Sequence, residues 1–174
     1  MIISNSSCLI ILDKLGSLDL LQKLYSIITI PKAVKKEVFK SKPIPDRFNI
    51  VEITQPAAYR ILEKNLGHGE SEAITLSIEL NADLLILDDL AARKIAHKLG
   101  IKITGVIGVL LEAKKAGLIE GLKPYLDDLL KEGFRVSKSV YEESLNLAGE
   151  KGESGFLLKE KQARYEVRKV RGVR

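Results

Sequence analysis

Leu84-Leu85-Ile86-Leu87 is an unbroken apolar run that ends in two adjacent carboxylates, Asp88 and Asp89. Four consecutive apolar residues match a strand buried on both faces, as in a parallel sheet. Parallel strands need crossover connections, and the flanking sequence supplies them. Leu66 to Gly105 reads helix, strand, helix, strand: a helix over 70–81, the strand 84–87, a helix from about Leu90 to Leu99 stopped by Gly100, and the strand Ile101 to Thr104. In open α/β sheets ligands bind at the carboxyl ends of the strands. Asp88 and Asp89 therefore fall where chemistry is expected.

The same alternation runs back through the chain. Residues 1–5 read as a short strand, with Ser4, Ser6 and Ser7 as helix-cap candidates and an apolar helix over 7–15. A second short helix spans Leu18 to Tyr25. The β-branched stretch Ile27-Ile28-Thr29-Ile30 is a second buried strand. Pro31 opens the next helix, where its missing N–H costs nothing; that helix runs to about Lys40 with Glu37 in its middle. Residues 42–46 form a loop, 50–54 a short edge strand or extended connector, and Pro56 to Asn65 a helix. Helices over 106–115, 120–132 and 137–148 follow the last strand, and Gly149 to Gly155 reads as a linker. Strands alternating with helices over residues 1–104 imply a parallel sheet.

A chain of 174 residues can bury a substantial core. No apolar run approaches a membrane span and no signal peptide is visible. Cys8 is the single cysteine, which excludes an internal disulfide, fits a buried packing residue and suggests a cytoplasmic location. The net charge of +5 sits at one end: Lys159 to Arg174 holds seven basic and two acidic residues, so residues 1–158 are formally neutral. The expected organisation is a domain over 1–150 and a basic tail over 151–174. The tail suits a nucleic-acid arm, a docking segment or a solvated tail.

Four elements place polar residues at comparable points: Asn5 after the first strand, Glu37 in the helix after the second, Glu70 and Glu72 opening the central helix, and Asp88-Asp89 after the apolar strand. Carboxylates converging on one sheet edge repel unless a cation lies among them. Oxygen donors without a His/Cys cluster favour Mg²⁺ or Mn²⁺. Such a site catalyses attack of water on a phosphodiester. Each residue also has a purely structural reading. Glu70 and Glu72 suit a helix dipole, and at spacing i, i+2 they point about 200° apart unless Glu70 precedes the regular helix. Asp88 or Asp89 suits an N-cap, Asn5 a cap or turn, and Glu37 a solvated face among lysines.

The stretches Ile3-Ser4-Asn5-Ser6-Ser7-Cys8-Leu9-Ile10, Ile30-Pro31-Lys32-Ala33-Val34 with Glu37, Leu66-Gly67-His68-Gly69-Glu70-Ser71-Glu72-Ala73-Ile74, Leu87-Asp88-Asp89-Leu90-Ala91-Ala92-Arg93 and Thr104-Gly105-Val106-Ile107-Gly108 together resemble a PIN domain of the prokaryotic DUF3368 type, over about residues 1–150. The resemblance implies a three-layer α/β/α fold with a short parallel sheet of about four strands, plus C-terminal helices. It implies a Mg²⁺- or Mn²⁺-dependent endoribonuclease, with a toxin role in a toxin–antitoxin pair as a further implication. Glu37, Glu72 and Asp89 carry over as catalytic acids. Asn5, Glu37, Glu70, Glu72, Asp88 and Asp89 carry over as the metal set, Glu70 by likeness to flap-endonuclease-type members. At the position of the usual first acid stands Asn5, which brings no charge.

Lys36, in a cluster of lysines around Glu37, and Arg93, one turn after Asp89, are the substrate-binding candidates. Candidate partners are RNA, an antitoxin protein and a second copy of the chain, with no membrane. Two other readings stand beside the nuclease: a catalytically silent PIN-like module that binds RNA or protein, and a nucleotide-binding regulatory domain. Gly105-Val106-Ile107-Gly108 lacks phosphate-loop spacing and no serine lies in a nucleophile elbow.

Overall fold

Along a strand successive side chains point to opposite faces, and the apolar run obeys this. Leu85 and Leu87 join one core with Ile3, while Ile86 joins another with Ile28 and Ile30. The computed structural model describes residues 1–40 and 42–150; the expected basic tail lies outside the described residues, as does most of the linker. Five strands, β1 (Ile2–Ser4), β2 (Ile28–Pro31), β3 (Phe48–Val51), β4 (Leu84–Ile86) and β5 (Ile103–Thr104), pair in the order β3-β2-β1-β4-β5. Every pairing is parallel, with Ile2 opposite both Ile28 and Leu84. The fold is therefore mixed α/β and PIN-like, as expected.

Among the described residues the sheet has five strands rather than about four. The difference is β3, which occupies Phe48–Val51 instead of 50–54. Phe48 anchors it: the ring is buried, packs edge-on against Phe39 at 5.3 Å, and lies opposite Ile28. The ladder stops short of residue 54 because the Thr54 and Gln55 N–H groups donate to the Glu79 carboxylate instead.

Helices cover both faces. On one side lie α4 (Pro56–Leu62), α5 (His68–Glu79) and α6 (Leu90–Lys98), whose Ala73, Ile74, Leu76, Ala92 and Ala96 pack on Ile3, Leu85 and Leu87. On the other lie α1 (Ser6–Lys14), α2 (Asp19–Tyr25), α3 (Lys32–Val38) and α7 (Val106–Lys115), joined by α8 (Lys123–Lys131) and α9 (Lys138–Leu147). Truncating a fully buried sheet residue such as Leu85 to Ala would cost about 2–5 kcal/mol, because the surroundings collapse only in part. Glu150 closes the C-terminal helices: its carboxylate accepts from the Leu122 and Lys123 N–H groups where α8 begins. Among the described residues no helix is long and apolar enough to cross a membrane.

Candidate functional site at the carboxyl edge of the sheet

Asn5 is built in by two demands. Its N–H donates to Ile86 O at 3.1 Å, which carries the β1–β4 ladder one residue further. Its side-chain Oδ1 accepts from Cys8 N at 3.2 Å and caps α1. With the oxygen so used, Nδ2 is left to face Glu70, and it donates to Oε1 at 3.3 Å. Ser7 Oγ stands 3.5 Å from the same oxygen. Asn5 is fully buried and Glu70 half-buried, so an uncharged amide here meets a carboxylate without repulsion.

Glu37 approaches the same place from α3. A Cβ on Gly69 would stand 2.6 Å from Ser6 Oγ and 3.1 Å from Glu37 Oε2. Only glycine lets the first turns of α1 and α5 and the glutamate of α3 come this close. Ser6 Oγ is buried and, among the described residues, has no hydrogen-bond partner. Ser71 Oγ and Thr75 Oγ1, on α5, are likewise buried without a partner among the described residues.

The remaining acids serve helix starts. Glu72 Oε2 accepts from Ala33 N at 2.9 Å in the first turn of α3, so Glu70 and Glu72 turn to different neighbours. The helix begins at His68, hence both residues lie within its regular part and diverge as the i, i+2 geometry requires. Asp88 Oδ2 accepts from Val106 N at 2.9 Å, at the start of α7, and from the Cys8 thiol at 3.1 Å. Burial, and then the Asp88 charge, push the Cys8 thiol well above its ordinary pKa, so it stands as a neutral donor. Asp89 is exposed and caps α6 through Ala92 N at 2.8 Å. Among the described residues no three His, Cys, Asp or Glu side chains are grouped to hold a metal ion.

Arg93 donates from Nη1 to Leu87 O at 2.7 Å, beside Asp88; a Cβ on Gly105 would meet Asp88 Oδ1 at 2.1 Å and this Nη1 at 3.1 Å. Lys36 is exposed next to Glu37, and neighbouring Lys32 pairs with Glu52. His68 is engaged by Tyr59, whose hydroxyl contacts Nδ1 and whose ring stacks on it. A cleft of about 570 Å³ opens on the far side of Asp88, between α6, α7 and residues 134–140.

The structure thus brings Glu70 to Asn5 and Ser7, and Glu37 to Gly69 beside Ser6, with Asp88 linked to Asn5 through Cys8. It directs Glu72 to α3 and Asp89 to α6. In the sequence Ser6 and Ser7 read as caps and Cys8 as a packing residue. No role falls there to Phe134 or Arg135, which no local pattern connects to the site.

A parallel sheet in this order with helices on both faces fits a PIN-type α/β domain. The chain belongs to DUF3368, a PIN-domain family whose model matches residues 1–150. PIN domains are generally nucleases, often toxins of toxin–antitoxin systems, and generally use Mg²⁺ or Mn²⁺. No curated protein matches the chain.

Proposed function

We propose that the protein is a Mg²⁺- or Mn²⁺-dependent endoribonuclease. The observation that carries this reading is the pairing of Glu70 with the Asn5 amide and the approach of Glu37 to Gly69 beside Ser6, with Asp88 linked to Asn5 through Cys8. The donor set is made of oxygens, which fits a hard cation. Mg²⁺ keeps several waters and needs only one or two carboxylates together with substrate phosphate, so the lack of a three-acid group does not oppose the fit. Glu70, with Glu37 close by, would hold the ion, which when bound would supply an activated water and neutralise charge on the leaving oxygen.

The chain's own side chains do the rest. Asn5 holds Glu70 in place by donating to it, and its neutrality leaves one fewer charge against an incoming phosphate. Asp88 keeps the starts of α1 and α7 together through Cys8 and Val106. Arg93 is fixed beside Asp88 by Leu87 O, with further donors of its planar fork available to a phosphate. Lys36, exposed next to Glu37, extends the positive surface. The family makes RNA the expected substrate and an antitoxin protein the expected regulator.

The test is single-turnover cleavage of a structured RNA with EDTA, Mg²⁺ or Mn²⁺. Metal-dependent cleavage that Glu37→Gln and Glu70→Gln abolish is the expected result. Glu72, Asp88 and Asp89 all accept from backbone N–H groups at helix starts, which favours a second reading, a binding module without catalysis. RNA binding with no cleavage under any metal would establish that reading instead.

A further inference from the structure

The cleft beside Asp88 has a composition that the acidic residues do not explain. Leu90, Ile103, Ile107, Phe134 and Val140 give it an apolar side, and Arg93, Arg135, Asp88 and Asp89 also line it. Leu90 is 75% exposed and Val140 43%, so large apolar side chains face solvent at its mouth. Along α6, Leu90, Arg93, Lys94, His97 and Lys98 recur at helical spacing on one face. With Ile103 they line a second hollow, and Leu90, Arg93 and Ile103 belong to both. The two hollows therefore adjoin across Leu90, Arg93 and Ile103, one bordered by Asp88, Asp89 and Arg135 and the other by Lys94, His97 and Lys98. Among the described residues Lys94, Lys98 and Arg135 form no ion pair.

We propose that these adjoining hollows form one groove, a track for single-stranded RNA, with one base held against Phe134 in the cleft and the flanking phosphates along Lys94, Lys98 and Arg135. The proposal rests on the nuclease reading and adds where the strand lies. Un-neutralised cations call for a polyanion. An aromatic ring in an apolar recess calls for a base face, and the two together are how single strands are held without regard to sequence. A cavity of about 570 Å³ takes one group of small-molecule size, which a base in a duplex cannot offer without leaving its stack. A protein segment without acidic residues would use the apolar wall and leave three cations facing it.

The experiment measures binding of a labelled single-stranded oligouridylate to the full chain by anisotropy in EDTA, across a range of salt. The basic tail is present in every variant, so its contribution cancels. The triple variant Lys94→Ala/Lys98→Ala/Arg135→Ala should bind at least tenfold more weakly at low salt. Its slope of log affinity against log salt should be shallower by about two, three contacts at about 0.7 each. Phe134→Ala should lose roughly tenfold with the slope unchanged, because stacking carries no charge. Phe134→Leu, which keeps apolar bulk, should lose as much and guards against a folding defect. Unchanged affinity and slope in all three variants would overturn the proposal and leave the groove to a protein partner. Duplex RNA competing as well as single strand would also overturn it. The nuclease reading fails separately: a wild-type protein that binds through these residues and cuts nothing keeps the track and loses the catalysis.

Discussion

Asn5→Asp is the substitution that interrogates the site most directly. Aspartate preserves the cap on α1, since its oxygen accepts from Cys8 N as the amide oxygen does. The cost comes from the other atom. Where Nδ2 now donates to Glu70 at 3.3 Å, a carboxylate oxygen would face a carboxylate oxygen. Two unit charges at that distance repel by about 1 kcal/mol with water-like screening and about 5 kcal/mol at an effective dielectric of about 20. Residue 5 is fully buried and Glu70 half-buried, so the expected loss is about 2–3 kcal/mol. For a chain of this size that lowers Tm by roughly 5–10 °C. The loss should shrink as pH falls and one carboxyl takes a proton. A cation between the two groups reverses the sign, so Mn²⁺ should raise the Tm of the variant more than that of the wild type. Thermal unfolding by circular dichroism in EDTA and in Mn²⁺ reads both effects, with Asn5→Ser as a cap without charge. A variant as stable as wild type in EDTA would refute the Asn5–Glu70 contact. A destabilised variant indifferent to Mn²⁺ would refute the cation site.

Gly69→Ala should lose stability, by about 1–3 kcal/mol in urea unfolding, although alanine in a helix ordinarily gains about 1 kcal/mol over glycine; a net gain would show that Ser6 and Glu37 do not crowd it. Burial alone would raise the Glu150 carboxyl, but the Leu122 and Lys123 N–H groups and the Lys114 ammonium outweigh it and hold the pKa below its usual value. A depressed folded value contributes stability above the unfolded pKa that disappears as pH falls through the folded one. Glu150→Gln should therefore cost about 1 kcal/mol at neutral pH, with the difference from wild type fading below about pH 4 in chemical unfolding. Deleting residues 159–174 removes the whole net charge of the chain; RNA binding should weaken and its salt dependence flatten, whereas an unchanged salt slope would show that the tail does not touch RNA.

The architecture was legible because its strands carry their burial in their composition. Ile28-Thr29-Ile30 and Leu84–Leu87 need two covered faces, and that requirement fixes a parallel sheet. β3 was harder to place because it is an edge strand with one buried residue, Phe48, and partial burial beyond it. Which acids meet was less legible still. Adjacent Asp88 and Asp89 differ only in where the turn into α6 begins, a matter of phase that sequence does not carry. Asp88 faces Cys8 and Val106, and Asp89 faces Ala92. The divergence of Glu70 and Glu72 follows from helix geometry once the helix is known to begin at His68. Phe134, Arg135 and Val140 come to the cleft from beyond the last strand through the packing of α7 and α9, and no spacing rule reaches that far.

The position of β1 has a consequence for how the protein comes into being. It lies at the centre of the sheet, yet its partner β4 is about eighty residues later in the chain. Contacts of such separation form late, because a long loop must close before they return anything. During synthesis β1 can pair with β2 while its other edge waits, open, for Leu84 to Ile86. Asn5 gets its last backbone bond, to Ile86 O, only at that moment. A nascent chain shorter than this already holds Asn5, Glu37 and Glu70 but neither the Ile86 carbonyl that anchors Asn5 nor Asp88, so the site is complete only when most of the fold has left the ribosome.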